Sequence, residues 1–375
     1  MPPSYLTMLA AFRRYLAQLQ LPWSKPQRGN FALYATGFLA ERSLPIRRVA
    51  RALAGPKASH RHMDKRLRHF LGNPKLDREG ALGAYLRFLL PRFGQQPCIP
   101  VMADWTHVGR QHAVFILHIP YRGRSFPLSA VFQRWEGNED MTDQEEEGLA
   151  LLRRVWPSTA PPPLILADRG FAKSGFLQWL LQHDWLFIIR ARRRTQIRDA
   201  QGRQLYPNPG LGEVITHEHV TYHEFGRVPG RLVATAARDK RGKLSQWLLF
   251  TNLPALLLPQ AIKLYAQRMS PEETHRDCKR GHFVSGFALS HLGRMSRVRL
   301  NNLLCCLVLI YGLLVLVAET ERETREWLKQ RHWGLSLATF GLDLLRAASE
   351  PVRATIKRAL GCVTLRPLWL ETGDS

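Results

Sequence analysis

The sequence predicts an α/β protein: a mixed sheet with helices on its faces, preceded by a helical, basic region and interrupted by a β-rich insertion. Three observations lead there. Between residues 97 and 190 the apolar segments run strand, strand, strand, helix, strand, helix, strand, an order that needs both hairpins and helical crossovers. The first 92 residues carry helical periodicity alone. From Ala191 to about Leu256 the character changes to polar strands and turns such as RDAQGRQL, GRVPGR and RDKRGK, and a helical pattern resumes at Ala261.

Within the helical region the segments are AAFRRYLAQL, NFALYATGFLAE and SLPIRRVARALAG, the last with Ser43 as N-cap and Pro45 near the first turn. KASHRHMDKRLRHFLG follows, with Arg61, Lys65, Arg68 and His69 close to one face. Two short helices about the turn at Gly55 and Pro56, the second strongly basic, resemble a helix-turn-helix. A solvated basic helix fits the same residues, because charge by itself licenses only affinity for a phosphate backbone.

The strands CIPVMADW, HAVFILHIPY and RSFPLSAVFQRW come next, a meander with Arg122 and Gly123 in its second turn. Thr142 caps TDQEEEGLALLRRVW, acidic at its start and basic at its end as the helix dipole prefers. After the run Pro161 to Pro163, LILAD is a short strand, KSGFLQWLLQHD a helix and WLFIIR another strand. Five segments result: 1–92, the helical basic region; 93–193, the first part of the mixed-sheet core; 194–257, the β-rich insertion; 258–320, the second part of that core; and 321–375, a C-terminal region with a candidate assembly role.

Composition narrows the partner. At 375 residues and 45% hydrophobic the chain can bury a sizeable core. Its 54 Lys/Arg against 30 acids give a net charge of +24, which favours a polyanion over a small neutral ligand, with nucleic acid first. Residues 1–80 hold 15 of those cations against 4 acids, which marks that segment as a docking module. The five cysteines, Cys98, Cys278, Cys305, Cys306 and Cys362, form neither a CxxC pair nor an even framework, so a metal clasp or disulfide scaffold is not expected and a reducing cytoplasm is. The N-terminus lacks the pattern of a signal peptide. Leu303 to Ala318 is apolar over 16 residues, short of the roughly 20 that a membrane span needs, and is expected as a buried core helix.

Asp104 ends the apolar strand VMADW and Asp168 ends LILAD, so both carboxylates emerge where buried strands leave the sheet. In α/β sheets the ligand site lies beyond the carboxyl ends of the strands, and two converging carboxylates repel unless a cation sits between them. Mg²⁺, a hard cation with oxygen ligands, suits them, and Mn²⁺ can substitute. For either Asp taken singly, a strand-end cap or a salt bridge to Arg169 is a better reading than catalysis.

A third acid lies in YAQRMSPEETHRDCK. Ser270 is a good N-cap, Pro271 fits the first helical position, and Ser270 with Glu273 makes a capping box, which leaves Glu272 free to face the sheet. Lys279 lies two turns on along the same face, while Tyr265 and Arg268 end the preceding helix three residues apart. Ordinary surface neighbours would show the same spacing.

Tyr265, two residues, Arg268, three residues, Glu272, six residues, Lys279 resembles, in type and spacing, the Tyr-Arg-Glu-Lys signature of bacterial insertion-sequence transposases of family four. Asp168 with Gly170 and Phe171 is similar to that family's second-acid motif, and Asp104 sits where its first catalytic Asp would. The similarity covers residues from about 97 to 318, and Pro271 departs from it where the family more often has an apolar residue.

The resemblance implies an RNase H-like core carrying a β-rich insertion, and a DDE transposase in which Asp104, Asp168 and Glu272 hold two Mg²⁺ ions. It implies cut-and-paste transposition of double-stranded DNA through a hairpin. Tyr265, Arg268 and Lys279 would grip phosphates near the cut. Trp247, in WLLFT, would stack on a flipped base, although a core aromatic on a strand fits it too. Holding two ends together implies a homodimer on DNA, and the expected location is the cytoplasm, with the nucleoid and no membrane. Two alternatives are a metal-dependent nuclease on the same core without strand transfer, and a DNA-binding repressor with a dead site, against which the presence of all three acids argues.

Overall fold

A computed structural model of the chain describes residues 3–55, 58–108, 112–122, 124–134, 142–192, 195–223, 227–238, 242, 244–269, 295–320, 337–347, 358–361 and 365. Five helices come first: α1 (Pro3–Leu19), α2 (Lys25–Glu41), α3 (Ile46–Leu53), α4 (His60–Leu71) and α5 (Arg78–Leu89). Their ends follow local chemistry. Ser24 and Gln27 close a capping box on α2, the Ser59 hydroxyl accepts from the His62 amide at the start of α4, and Asp77 accepts from the Gly80 amide at the start of α5. Ser43 does not cap α3. That helix starts at Ile46, with Pro45 at the N-cap and no side-chain cap, while the buried Ser43 hydroxyl finds no partner among the described residues. The physical reason is Pro45, which disfavours helical backbone angles at its predecessor Leu44 and pushes the N-cap two residues past Ser43.

The sheet has nine strands: β1 (Ile99–Val108), β2 (His112–Tyr121), β3 (Arg124–Arg134), β4 (Pro163–Ala167), β5 (Leu186–Arg190), β6 (Ile197–Asp199), β7 (Val214–Tyr222), β8 (Val228–Arg238) and β9 (Leu244–Thr251). Their spatial order is β3-β2-β1-β4-β5-β9-β8-β7-β6. The first three form an antiparallel meander, while β1, β4 and β5 run parallel, connected through α6 (Thr142–Val155) and α7 (Ser174–Gln182). This mixed sheet with flanking helices is compatible with an RNase H-like domain. Strands β6–β9 do not stand apart from it, because β9 pairs antiparallel with β5 and continues the same sheet.

Side chains alternate across the sheet. Ile99, Val101, Ala103, Ile165, Ala167, Phe187 and Ile189 pack into the large core shared with the N-terminal helices and α6. Cys98, Met102, Leu164, Leu166 and Ile188 face the other way, into a smaller core with Leu253, Leu258, Leu264 and Tyr265, the last two from α8 (Ala261–Ala266).

The apolar run near residue 310 belongs to α9 (Arg297–Thr320), which is 24 residues long and buried from Leu300 to Ala318. By length and composition it could cross a membrane. Here it is the helix around which the N-terminal region packs, beside α10 (Leu337–Ala347). The Tyr15 hydroxyl donates to the Leu309 carbonyl at 3.0 Å, and the Asn302 amide donates to the Leu71 and Asn73 carbonyls, each at 2.9 Å. Gly312 permits a close approach, since a Cβ there would lie 2.3 Å from the Tyr85 hydroxyl.

Candidate active site

The parallel pairing of three strands stops at one level: Ala103 of β1 pairs with Ala167 of β4, and Ala167 with Ile189 of β5. The next residue on each chain is therefore Asp104, Asp168 and Arg190, side by side, with neighbouring strands about 4.8 Å apart. Asp104 does not end its strand, since β1 runs on to Val108 in its pairing with β2, which holds that acid within the sheet. The alternation that sends Met102, Leu166 and Ile188 into the smaller core directs all three to that same face. This is also the face that α8 covers with Tyr265.

Local geometry steadies the two acids. Asp168 Oδ1 accepts from the Gly170 amide at 2.7 Å, and its carbonyl accepts from the Phe171 amide at 3.1 Å, a tight turn directly after β4. Asp104 Oδ1 accepts from the Trp105 amide at 2.9 Å. Both side chains remain half-exposed, so a solvated cation has access.

Arg190 and Tyr265 complete the described part of the site. Burial lowers the pKa of Arg190 from the ordinary guanidinium value; neighbouring Arg169 and Arg268 lower it further, and Tyr265 and Asp168 oppose them. It stays cationic at neutral pH, where a guanidinium cannot lose its proton. Its Nη2 donates to the Gln246 carbonyl of β9 at 3.0 Å. Burial raises the pKa of Tyr265, with Arg268 and Arg190 pulling the other way, so the phenol stays protonated. Arg268 approaches that hydroxyl, yet the buried oxygen makes no well-formed hydrogen bond among the described residues. It is a donor with capacity for an acceptor such as a phosphate oxygen.

Trp247 of β9 is half-buried and meets Tyr265 edge-on, with ring centroids 5.3 Å apart and planes at 75°. Of the residues expected in the site, Asp104, Asp168, Tyr265, Arg268 and Trp247 therefore share one face of the sheet. Glu272 and Lys279, with Ser270, Pro271 and Glu273, lie outside the described residues, as do Cys278, Cys362, Gly123 and Pro56. Among the described residues no three His, Cys, Asp or Glu side chains gather as a metal site. The two Asp carboxylates, as hard oxygen donors on adjacent strands, fit one that a further carboxylate completes.

The basic candidates lie on α4. Arg61 and Lys65 are exposed, whereas Arg68 is half-buried and donates to Asp64 at 2.7 Å, an i,i+4 pair that occupies its charge. Arg47 and Arg51 of α3 are also exposed.

Two residues escaped the sequence reading. For Arg190 the available signal is that the apolar run of WLFIIR, like those of VMAD and LILAD, is closed by a charged residue. Glu145, discussed below, was hidden in an acidic run.

The family model described as a transposase DDE domain matches residues 95–309, more than half of the chain, from just before β1 into α9. No curated protein matches the chain.

Proposed function

The chain belongs to the transposase DDE-domain family, and from that premise we propose that it is an insertion-sequence transposase of family four that cuts and pastes its element through a DNA hairpin. Membership makes DNA the substrate and DDE-type transposition the chemistry. The finer reading assigns Asp104, Asp168 and Glu272 as ligands for Mg²⁺. When bound, the metal pair supplies a more nucleophilic attacking oxygen and stabilises the leaving one.

The chain's own side chains do the rest. Arg190 and Arg268 bring fixed positive charge to the face where a phosphate would sit, and Tyr265 offers a hydroxyl that makes no well-formed hydrogen bond among the described residues. Lys279 adds a third cation through the signature spacing. Trp247, beside Tyr265, presents a π-surface for a base that leaves the stack. Arg61 and Lys65 dock the phosphate backbone away from the chemistry, and Arg68 contributes less because Asp64 holds it. Two copies of the chain would hold two ends as a homodimer on DNA.

The observation that carries this reading is the register of Asp104, Asp168 and Arg190 on three adjacent parallel strands. Its test is to incubate the purified protein with linear fragments from its own genomic flanks, Mg²⁺ and a plasmid target. Hairpins and joined products are expected. Asp104→Ala, Asp168→Ala and Glu272→Ala should each abolish cleavage while leaving DNA binding nearly intact. Nicks without joined products would replace the reading with a hydrolytic nuclease, and normal cleavage by Glu272→Ala with loss in Glu273→Ala would reassign the third acid.

A further inference from the structure

Directly behind the two acids, on the opposite face of the sheet, sits a carboxylate that the proposed chemistry does not use. Glu145 of α6 is only 2% exposed. Its Oε1 accepts from the Trp105 indole at 3.0 Å, and the Lys173 ammonium lies 3.3 and 3.4 Å from its two oxygens. Trp105 follows Asp104 in the chain, and Lys173 stands at the N-cap of α7, two residues past the turn that Asp168 begins and Phe171 closes. One buried carboxylate thus ties together the two segments that carry the acids.

The surroundings make that tie stiff. Gly148, one turn further along α6, lies so close to β2 that a Cβ there would fall 2.6 Å from the Phe115 ring. Phe115 packs against Trp105 and Phe171 with centroid distances of 5.4 and 5.9 Å, and Phe171 is the residue whose amide closes the Asp168 turn. Lys173 also reaches the Thr142 hydroxyl at 3.4 Å, at the start of α6. A carboxylate is an expensive choice for a packing role, because a buried charge needs a partner and full hydrogen bonding. It suits a bracket, since two oxygens can hold two donors from different segments at once.

We propose that Glu145 is a positioning residue that fixes the spacing of Asp104 and Asp168, and through it the affinity of the site for its divalent cation. The inference rests on the assignment of those two acids as metal ligands. Outer-shell partners that hold metal ligands in place change metal affinity or activity about 10–100-fold when removed.

The test uses the full-length chain and Mn²⁺ as probe, with free Mn²⁺ followed by electron paramagnetic resonance, and in parallel the Mg²⁺ dependence of end cleavage. Glu145→Ala should weaken Mn²⁺ binding and raise the Mg²⁺ needed for half-maximal cleavage by about 10–100-fold, with the rate recovering at saturating metal and DNA affinity unchanged. Glu145→Gln, which keeps an acceptor for the Trp105 indole, should recover part of that loss. Should Glu145→Ala not fold, Trp105→Phe removes one tie while keeping an aromatic ring, and Lys173→Met removes the other while keeping its stem. Each should shift the metal curve in the same direction. Metal dependence matching the wild type in these folded variants, or a lowered melting temperature with an unshifted metal curve, overturns the proposal. Asp104→Ala separates the two levels: if it too leaves Mn²⁺ binding and cleavage intact, the ligand assignment itself has failed.

Discussion

Gly170→Ala isolates the placement of one carboxylate from the rest of the fold. Gly170 donates its amide to Asp168 Oδ1 at 2.7 Å, and a Cβ added there would lie 2.9 Å from that oxygen, where ordinary contact begins near 3.4 Å. Nothing else stands within 4 Å except the carboxyl carbon of the same side chain, at 3.9 Å. The backbone is not in the left-handed region, so an alanine is tolerated, and the carboxylate is what must give, by about 0.5 Å. Misplacement by 1 Å at a reacting centre can cost about 10²-fold, so half of that displacement should lower the cleavage rate roughly tenfold. Stability should change by no more than about 0.5 kcal/mol, because the glycine is exposed and outside any core. The assay is single-turnover cleavage of a labelled end fragment at saturating Mg²⁺, with DNA affinity and thermal unfolding measured on the same preparation. Gly175→Ala is the control, since its Cβ would meet nothing within 4 Å. A Gly170→Ala protein that cleaves at the wild-type rate would refute the claim that the Asp168 turn sets the reacting geometry. So would a loss matched by an equal loss of DNA binding.

Trp247→Ala should slow hairpin formation, spare first-strand nicking and be partly rescued by an abasic site near the cut; its half-buried position keeps the stability loss below the roughly 3–5 kcal/mol of a fully buried aromatic. Joint loss of nicking and folding, without rescue, would return Trp247 to a packing role. Replacing Arg61 and Lys65 together with Ala should reduce the slope of log affinity against log salt by about 2, near 0.9 for each phosphate no longer neutralised, and an unchanged slope would leave α4 as a solvated basic face. Burial pushes the Cys98 thiol up to about 12, so at pH 8 roughly one molecule in 10⁴ carries the reactive thiolate. Peptide mapping after iodoacetamide should find Cys98 unmodified in the folded protein at pH 8 and modified in denaturant, and equal labelling in both would contradict its burial.

Much of the core was legible because strands buried on both faces read as unbroken apolar runs, and in VMAD and LILAD the acid itself punctuates the end of the run. What a single strand cannot reveal is register. That Ala103, Ala167 and Ile189 fall in line, and hence that Arg190 stands beside Asp168, emerges only when three strands are paired. Glu145 was hidden for another reason: in TDQEEEG an acidic first turn satisfies the helix dipole, so no acid in it needs a further explanation. The available signal was periodic. Glu145, Gly148, Leu149 and Leu152 fall at i, i+3, i+4 and i+7, and all four are buried, so the carboxylate lies on the apolar stripe of α6. The independence of residues 1–92 was equally beyond the sequence. Their helices share a core with α9, and Tyr15 and Leu71 bond directly to it, so deleting the segment would strip a buried apolar helix rather than remove a detachable module.

The continuity of the insertion with the sheet bears on how Trp247 could be held to ångström tolerance in the stacking role proposed for it. In the β5–β9 pairing Arg190 stands opposite Leu249, and the ladder extends one step further, where the Ala191 amide donates to the Leu248 carbonyl at 2.7 Å. Because β9 runs antiparallel, moving back along it from Leu249 moves outward past the carboxyl end of β5, toward the region where the acids emerge. Trp247, two residues back, returns to the face that Leu249 shares with Tyr265. A tryptophan on a flexible loop would lose much of its stacking energy to ordering, whereas one on a paired strand meets its partner already fixed. Strand β8 supplies that pairing, with Thr235 opposite Trp247. The indole and the carboxylates are therefore parts of one hydrogen-bonded sheet, and their spacing is set by strand register rather than by loop conformation.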